Sequence, residues 1–143
     1  MEAIATIRTI GHALASTAVR AAVEGAVSRG CPVAAAVFGA SNELVSLLRA
    51  SGTPSPSTQI AQDKAYTAAS FRMPTPDLFA MIAGNPALST GIAVRPGIAM
   101  FGGGLPIIID GEFVGAIGVS GATEELDIEC ANAGLAAIGA EQF

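Results

Sequence analysis

The chain has 143 residues, a net charge of −5, 51% hydrophobic residues and only 13% charged ones. An acidic surface with no Lys/Arg run repels nucleic acid, and apolar runs as short as 106–109 and 117–119 fall far below the roughly 20 residues of a bilayer span. Two cysteines, Cys31 and Cys130, give neither a disulfide framework nor metal spacing, and one histidine cannot build a multi-imidazole metal centre, so no metal site is expected. So apolar a chain is reconciled with solubility if part of its apolar surface lies between subunits, which predicts a homo-oligomer. The start, Met1-Glu2 and then Arg8, lacks the basic-then-apolar order of a signal peptide, and a cytoplasmic address follows.

Ser16 reads as the N-cap of a first helix reaching about residue 28, with Ala18, Ala22 and Gly25 at helical spacing and Gly30 closing it. Pro32 opens a strand over 33–38, and the turn Gly39-Ala40-Ser41-Asn42 leads into a second over 43–49. The Pro/Ser stretch 51–57 is a loop, too short to separate domains. A helix over 58–72 puts Ile60, Lys64, Thr67 and Phe71 on one stripe, and Pro74 stops it. Thr75-Pro76-Asp77 then starts a short helix with a cap, a proline first and an acid in the first turn; Gly84 ends it. A loop through Arg95-Pro96-Gly97 leads to a strand over 98–101. Strands over 105–109 and 112–119 flank Asp110-Gly111, a dipeptide that favours the type I′ hairpin. Thr123 caps a last helix, with Glu124 and Glu125 at its positive end and Leu126, Cys130, Ala133 and Ala137 as its buried face. The order helix-strand-strand-helix-helix-strand-strand-strand-helix is α/β of the α+β kind. It predicts one domain over 1–143, a single central five-stranded antiparallel sheet flanked by helices.

Three stretches resemble the GlcG/HbpS family, which includes the C-terminal domain of PduO-type proteins. They are Asp63-Lys64-Ala65-Tyr66-Thr67-Ala68-Ala69 followed by Met73-Pro74-Thr75; Phe101-Gly102-Gly103-Gly104-Leu105-Pro106-Ile107; and Asp110-Gly111 with 114–121, closing on Glu125 and Asp127. The resemblance covers nearly the whole chain and implies the same five-stranded sheet, assembly as dimers to octamers, and haem as a possible ligand. Two departures stand out. Phe38-Gly39 replaces the aspartate usual after the first strand of the hairpin, and the N-terminal extension carrying His12 does not align with the haem-binding relatives.

Candidate site residues follow from chemistry. Lys64, the only lysine, lies in the best-matching motif, and its stripe with Ile60 and Thr67 puts the ammonium where an apolar wall meets an open cleft. There it would bind a carboxylate, or lose charge and act as base or nucleophile. In that position Lys64→Met would leave the melting temperature unchanged or raise it. Arg49 could hold a carboxylate or haem propionate in a two-bond fork, and Asp63 and Asp127 are further acidic candidates. Phe101, Gly102, Gly103 and Gly104 could form an anion nest of backbone amides. His12 could ligate haem iron, with Met100 an outside candidate for the same contact. The leading expectation is a small-ligand-binding protein for an anionic ligand, haem by resemblance. The alternative is a cofactor-independent enzyme acting by proton transfer, deamination or hydrolysis on a small carboxylated catabolic intermediate, with Arg49 binding, Lys64 as base or nucleophile and the glycine amides steadying negative charge.

Overall fold

The side chains that the strands present to each face decide where the helices sit. The computed structural model describes residues 3–143; Met1 and Glu2, which enter the leader argument, lie outside the described residues. Its strands are β1 (Ala34–Gly39), β2 (Leu44–Arg49), β3 (Gly104–Ile109) and β4 (Glu112–Ser120), all antiparallel in the order β2-β1-β4-β3. Val37, Ile107, Ile117 and Val119 point to one face. Against them lie α1 (His12–Val27) and α5 (Glu124–Ala137), contributing Ala15, Ala18, Val19, Ala22, Cys130 and Leu135 to the main core. Successive strand residues alternate between faces, and on the other face the residues are small: Ala34, Ala36, Ala116 and Gly118. There α2 (Ser57–Phe71) brings Ala61, Ala65 and Ala68, all fully buried. A Cβ on Gly118 would sit 2.1 Å from the Ala61 carbonyl oxygen and 2.5 Å from the Ala65 nitrogen, so helix backbone rests almost directly on sheet backbone. The result is helix, sheet, helix in three layers.

Local chemistry accounts for most boundaries. Asp110 and Gly111 have φ of 52° and 77°, the left-handed pair that a type I′ turn requires. The Thr123 hydroxyl accepts from the Leu126 amide at 3.2 Å, the expected cap of α5. The remaining helices are α3 (Thr75–Ile82), which packs on α2, and α4 (Pro86–Ala93). Helix α4 lies where the sequence pattern suggests only loop, yet it carries an ordinary start signal: Asn85 accepts from the Leu88 amide at 3.1 Å, with Pro86 next.

The sheet has four strands, not five. Residues 98–101 form no strand because a helix side chain claims their backbone. The Thr67 hydroxyl donates to the Gly97 carbonyl at 2.9 Å and accepts from the Ala99 amide at 3.0 Å, which holds the segment against α2. Two smaller corrections concern helix α1, which begins at His12 after an uncapped Gly11, ahead of Ser16, and the buried face of α5. Ala133 and Ala137 are exposed; the face is Asp127, Cys130, Ala131, Gly134 and Leu135. No helix among the described residues is long and apolar enough to cross a membrane.

Candidate ligand site

The site begins with a lysine that is not where its helical stripe alone would put it. Lys64 is 1% exposed, on the face of α2 that meets β4. Its Nζ donates to the Val119 carbonyl at 2.8 Å and to Asp127 Oδ2 at 3.0 Å. Asp127, in the first turn of α5 and 3% exposed, also accepts from the Ala122 amide at 3.1 Å. Burial pushes the Lys64 pKa down and the Asp127 pKa up, and in each case the charged partner opposes the shift. An ammonium that donates to two protein acceptors and has almost no open surface offers no free lone pair to a substrate. Its position suits a tie between α2, β4 and α5.

The glycine run makes room for that tie. A Cβ on Gly103, whose φ is 126°, would lie 2.8 Å from Lys64 Nζ and 2.5 Å from the Val119 carbonyl oxygen. A Cβ on Gly104 would lie 2.5 Å from the Lys64 carbonyl oxygen. Glycines are needed here so that the lysine and its helix can pass. Two of the amides proposed for an anion nest are engaged: Gly104 donates to the Thr75 hydroxyl at 3.2 Å and Gly102 to Glu124 Oε1 at 2.6 Å. The Thr75 hydroxyl in turn donates to the Phe101 carbonyl at 2.6 Å. Sequence reasoning assigned Thr75 to capping α3, but Pro74 holds that position and the hydroxyl fastens the glycine run instead.

Phe101 closes the assembly from outside. Its ring centroid lies 4.9 Å from Lys64 Nζ, a cation–π contact, and the ring is 49% exposed. The exposed part forms a wall of a cleft of about 480 Å³ lined by Pro76, Phe79, Ala93, Ile98, Ala99, Met100, Phe101 and Glu124. That volume falls within the usual range of about 300–1,000 Å³ for small-molecule sites. One carboxylate among apolar and aromatic walls suits a flat apolar ligand. Of these residues, the sequence pointed to Phe101 and Met100; it missed Phe79 and Glu124, the latter read only as favouring a helix end.

Lys64, Asp127, Phe101 and the three glycines therefore come together across long sequence distances. Arg49, Asp63 and His12 do not join them. Arg49 Nη2 donates to the Thr53 carbonyl at 2.6 Å, closing the loop before α2. Asp63 accepts from Gln59 at 3.0 Å and lines a separate groove with Phe38, Tyr66 and Gly97. His12 is exposed at the first residue of α1, the layer on the opposite side of the sheet from α2, and is not among the residues lining the cleft. Among the described residues, no cluster of three or more His, Cys, Asp or Glu side chains could hold a metal ion.

Comparison with known proteins gives a consistent family. The model of the family described as haem-degrading protein HbpS-like matches residues 10–136. A 15.0 kDa protein from the dhaT-dhaS intergenic region of Citrobacter freundii is 33% identical over 122 residues, covering 85% of this chain and 86% of that protein. A crystal structure of a double mutant of HbpS from Streptomyces reticuli is 34% identical with a TM-score of 0.85, covering 95% of this chain and 91% of that one. The crystal structure of a PduOC:heme complex is 26% identical with a TM-score of 0.84, covering 94% and 98% respectively.

Proposed function

Since this chain belongs to the HbpS-like family, we propose that it is a small-ligand-binding protein that takes a flat, apolar ligand, haem foremost, into the cleft beside Phe101. The observation that carries this reading is the cleft itself: Phe79, Ile98, Phe101 and Pro76 give apolar and aromatic walls, backed by the buried Lys64–Asp127 pair. Haem bound there would supply a redox-active iron. Met100 is the lining residue with a sulfur donor to offer, and Phe79 and Phe101 would hold the ring. The relation to a PduOC:heme complex supports the same ligand. Self-association is part of the reading, because Ile4, Ile7, Met81 and Val94 are 83%, 60%, 62% and 77% exposed and a partner copy would cover such side chains. A cytoplasmic address is consistent with the free thiols of Cys31 and Cys130.

Haemin titration followed at the Soret band tests the cleft. The wild type should saturate at micromolar concentrations. Phe79→Asp should weaken binding about tenfold or more, because an apolar wall worth about 1.5–3 kcal/mol becomes charged. His12→Ala should leave spectrum and affinity unchanged, since His12 lies away from the cleft. A Soret band moved by His12→Ala but indifferent to Phe79→Asp would place the ligand at the start of α1 instead. Absence of any saturable shift would remove haem from the proposal.

A further inference from the structure

The carboxylate in the cleft wall is already bonded to the protein. Glu124, the first residue of α5, is exposed, yet its Oε1 reaches back to accept from the buried Gly102 amide at 2.6 Å. A Cβ at residue 102 would lie 2.7 Å from Glu124 Cγ and 2.6 Å from Ile128 Cδ1, so the glycine gives the carboxylate room to seat there. The Glu124 charge acts on both Lys64 and Asp127. Those two neutralise each other through their 3.0 Å contact, and among the described residues Glu124 is the one charged side chain lining the cleft. A second carboxylate arriving beside it would meet like-charge repulsion at close range. A carboxylate that replaced it would inherit the Gly102 amide and the neighbouring ammonium with no change in the local charge count.

We propose that Glu124 is a built-in stand-in for an anionic ligand group: the cleft takes an apolar molecule bearing a carboxylate, which occupies the Gly102 amide as Glu124 swings out to water. The inference rests on the cleft being the ligand site; it adds the chemical class of the ligand and the residue that restrains its binding. A Glu124 that stayed in place would disfavour a charged ligand by repulsion alone, which Glu124→Gln removes in full, whereas a stand-in also occupies the Gly102 amide, which only Glu124→Ala frees.

The test uses haemin, a dicarboxylic acid, and its dimethyl ester, titrated into the wild type, Glu124→Gln and Glu124→Ala, with melting curves confirming that all three are folded. Haemin affinity should rise from wild type to Glu124→Gln to Glu124→Ala, by roughly tenfold to a hundredfold overall, the scale of one charge-assisted hydrogen bond freed for the ligand. Ester affinity should be unchanged across the series. Wild-type binding with no gain in either variant, or an equal gain for acid and ester, overturns it while the cleft reading stands. No binding by any of the three overturns both.

Discussion

Lys64→Met should lower the melting temperature by more than about 10 °C at neutral pH, and most of that loss should return when Asp127→Leu is added. The single change keeps the volume of the stem but leaves the Asp127 carboxylate, 3% exposed, with the Ala122 amide as its remaining hydrogen-bond donor. Removing one partner of a buried ion pair typically costs about 3–5 kcal/mol, which in a domain of this size moves the midpoint by roughly 10 °C or more. Removing both partners eliminates the stranded charge, so the double variant should regain most of the loss, short of the bond to the Val119 carbonyl and of the acceptor for the Ala122 amide. The deficit should also depend on pH with a definite sign. Burial raises the Asp127 pKa above its ordinary 3.8, and in the wild type Lys64 opposes that rise. Without Lys64 the folded carboxyl holds its proton to higher pH than the unfolded one, so stability falls as pH rises above about 3.8. The gap to the wild type should be widest at neutral pH and close as the solution approaches pH 4. Differential scanning calorimetry on the three proteins at pH 4 and 7 measures it; a Lys64→Met midpoint equal to the wild type at pH 7 would show that the pair holds nothing. This reverses the outcome that helical spacing alone suggests, because the stripe said nothing of the carboxylate 63 residues further on.

Gly118→Ala should be comparably damaging for a wholly different reason. One methyl group would lie 2.1 Å from the Ala61 carbonyl oxygen and 2.5 Å from the Ala65 nitrogen, atoms of a helix backbone that cannot rotate aside. Overfilling a tight core typically costs about 1–3 kcal/mol, and here the obstacle is main chain rather than a flexible side chain, so about 3 kcal/mol or more is expected. Gly91→Ala makes the matched control. Residue 91 lies inside α4 with nothing within 4 Å of the added methyl, so the same substitution should stabilise by about 0.5–1 kcal/mol. Urea unfolding of both variants decides the point: a Gly118→Ala midpoint matching the wild type would mean that α2 does not rest on β4 backbone to backbone.

The elements that were legible in the sequence are those whose cause is local. Asp110-Gly111 fixes its hairpin by backbone conformation, and Thr123 fixes the start of α5 through its own hydroxyl. What was not legible depends on distant partners. Residues 98–101 have strand composition, but Thr67, some thirty residues earlier, takes the Gly97 carbonyl and the Ala99 amide, and Thr75 takes the Phe101 carbonyl. The site divides the same way. Lys64, Asp127, Phe101 and the glycines were recognisable because family motifs carry them, and the structure brings them together. The role of the glycines was hidden because a glycine is uninformative until the atom that would collide with its Cβ is known. Arg49 and His12 stand outside the family motifs and rest on their chemistry alone, and Asp63 opens the same motif as Lys64; Arg49 and Asp63 serve neighbours closer to hand.

The burial of Lys64 also has a practical consequence. It is the only lysine in the chain, and it is 1% exposed. An acylating or carbamylating reagent therefore meets no lysine amine on the folded surface. Modification at residue 64 records the moments when the packing around it opens, because only then does the amine reach solvent and lose its proton to it. The protein thus carries a single covalent clock for its own opening, readable by mass spectrometry without an introduced label, and a ligand that braces this layer would slow it.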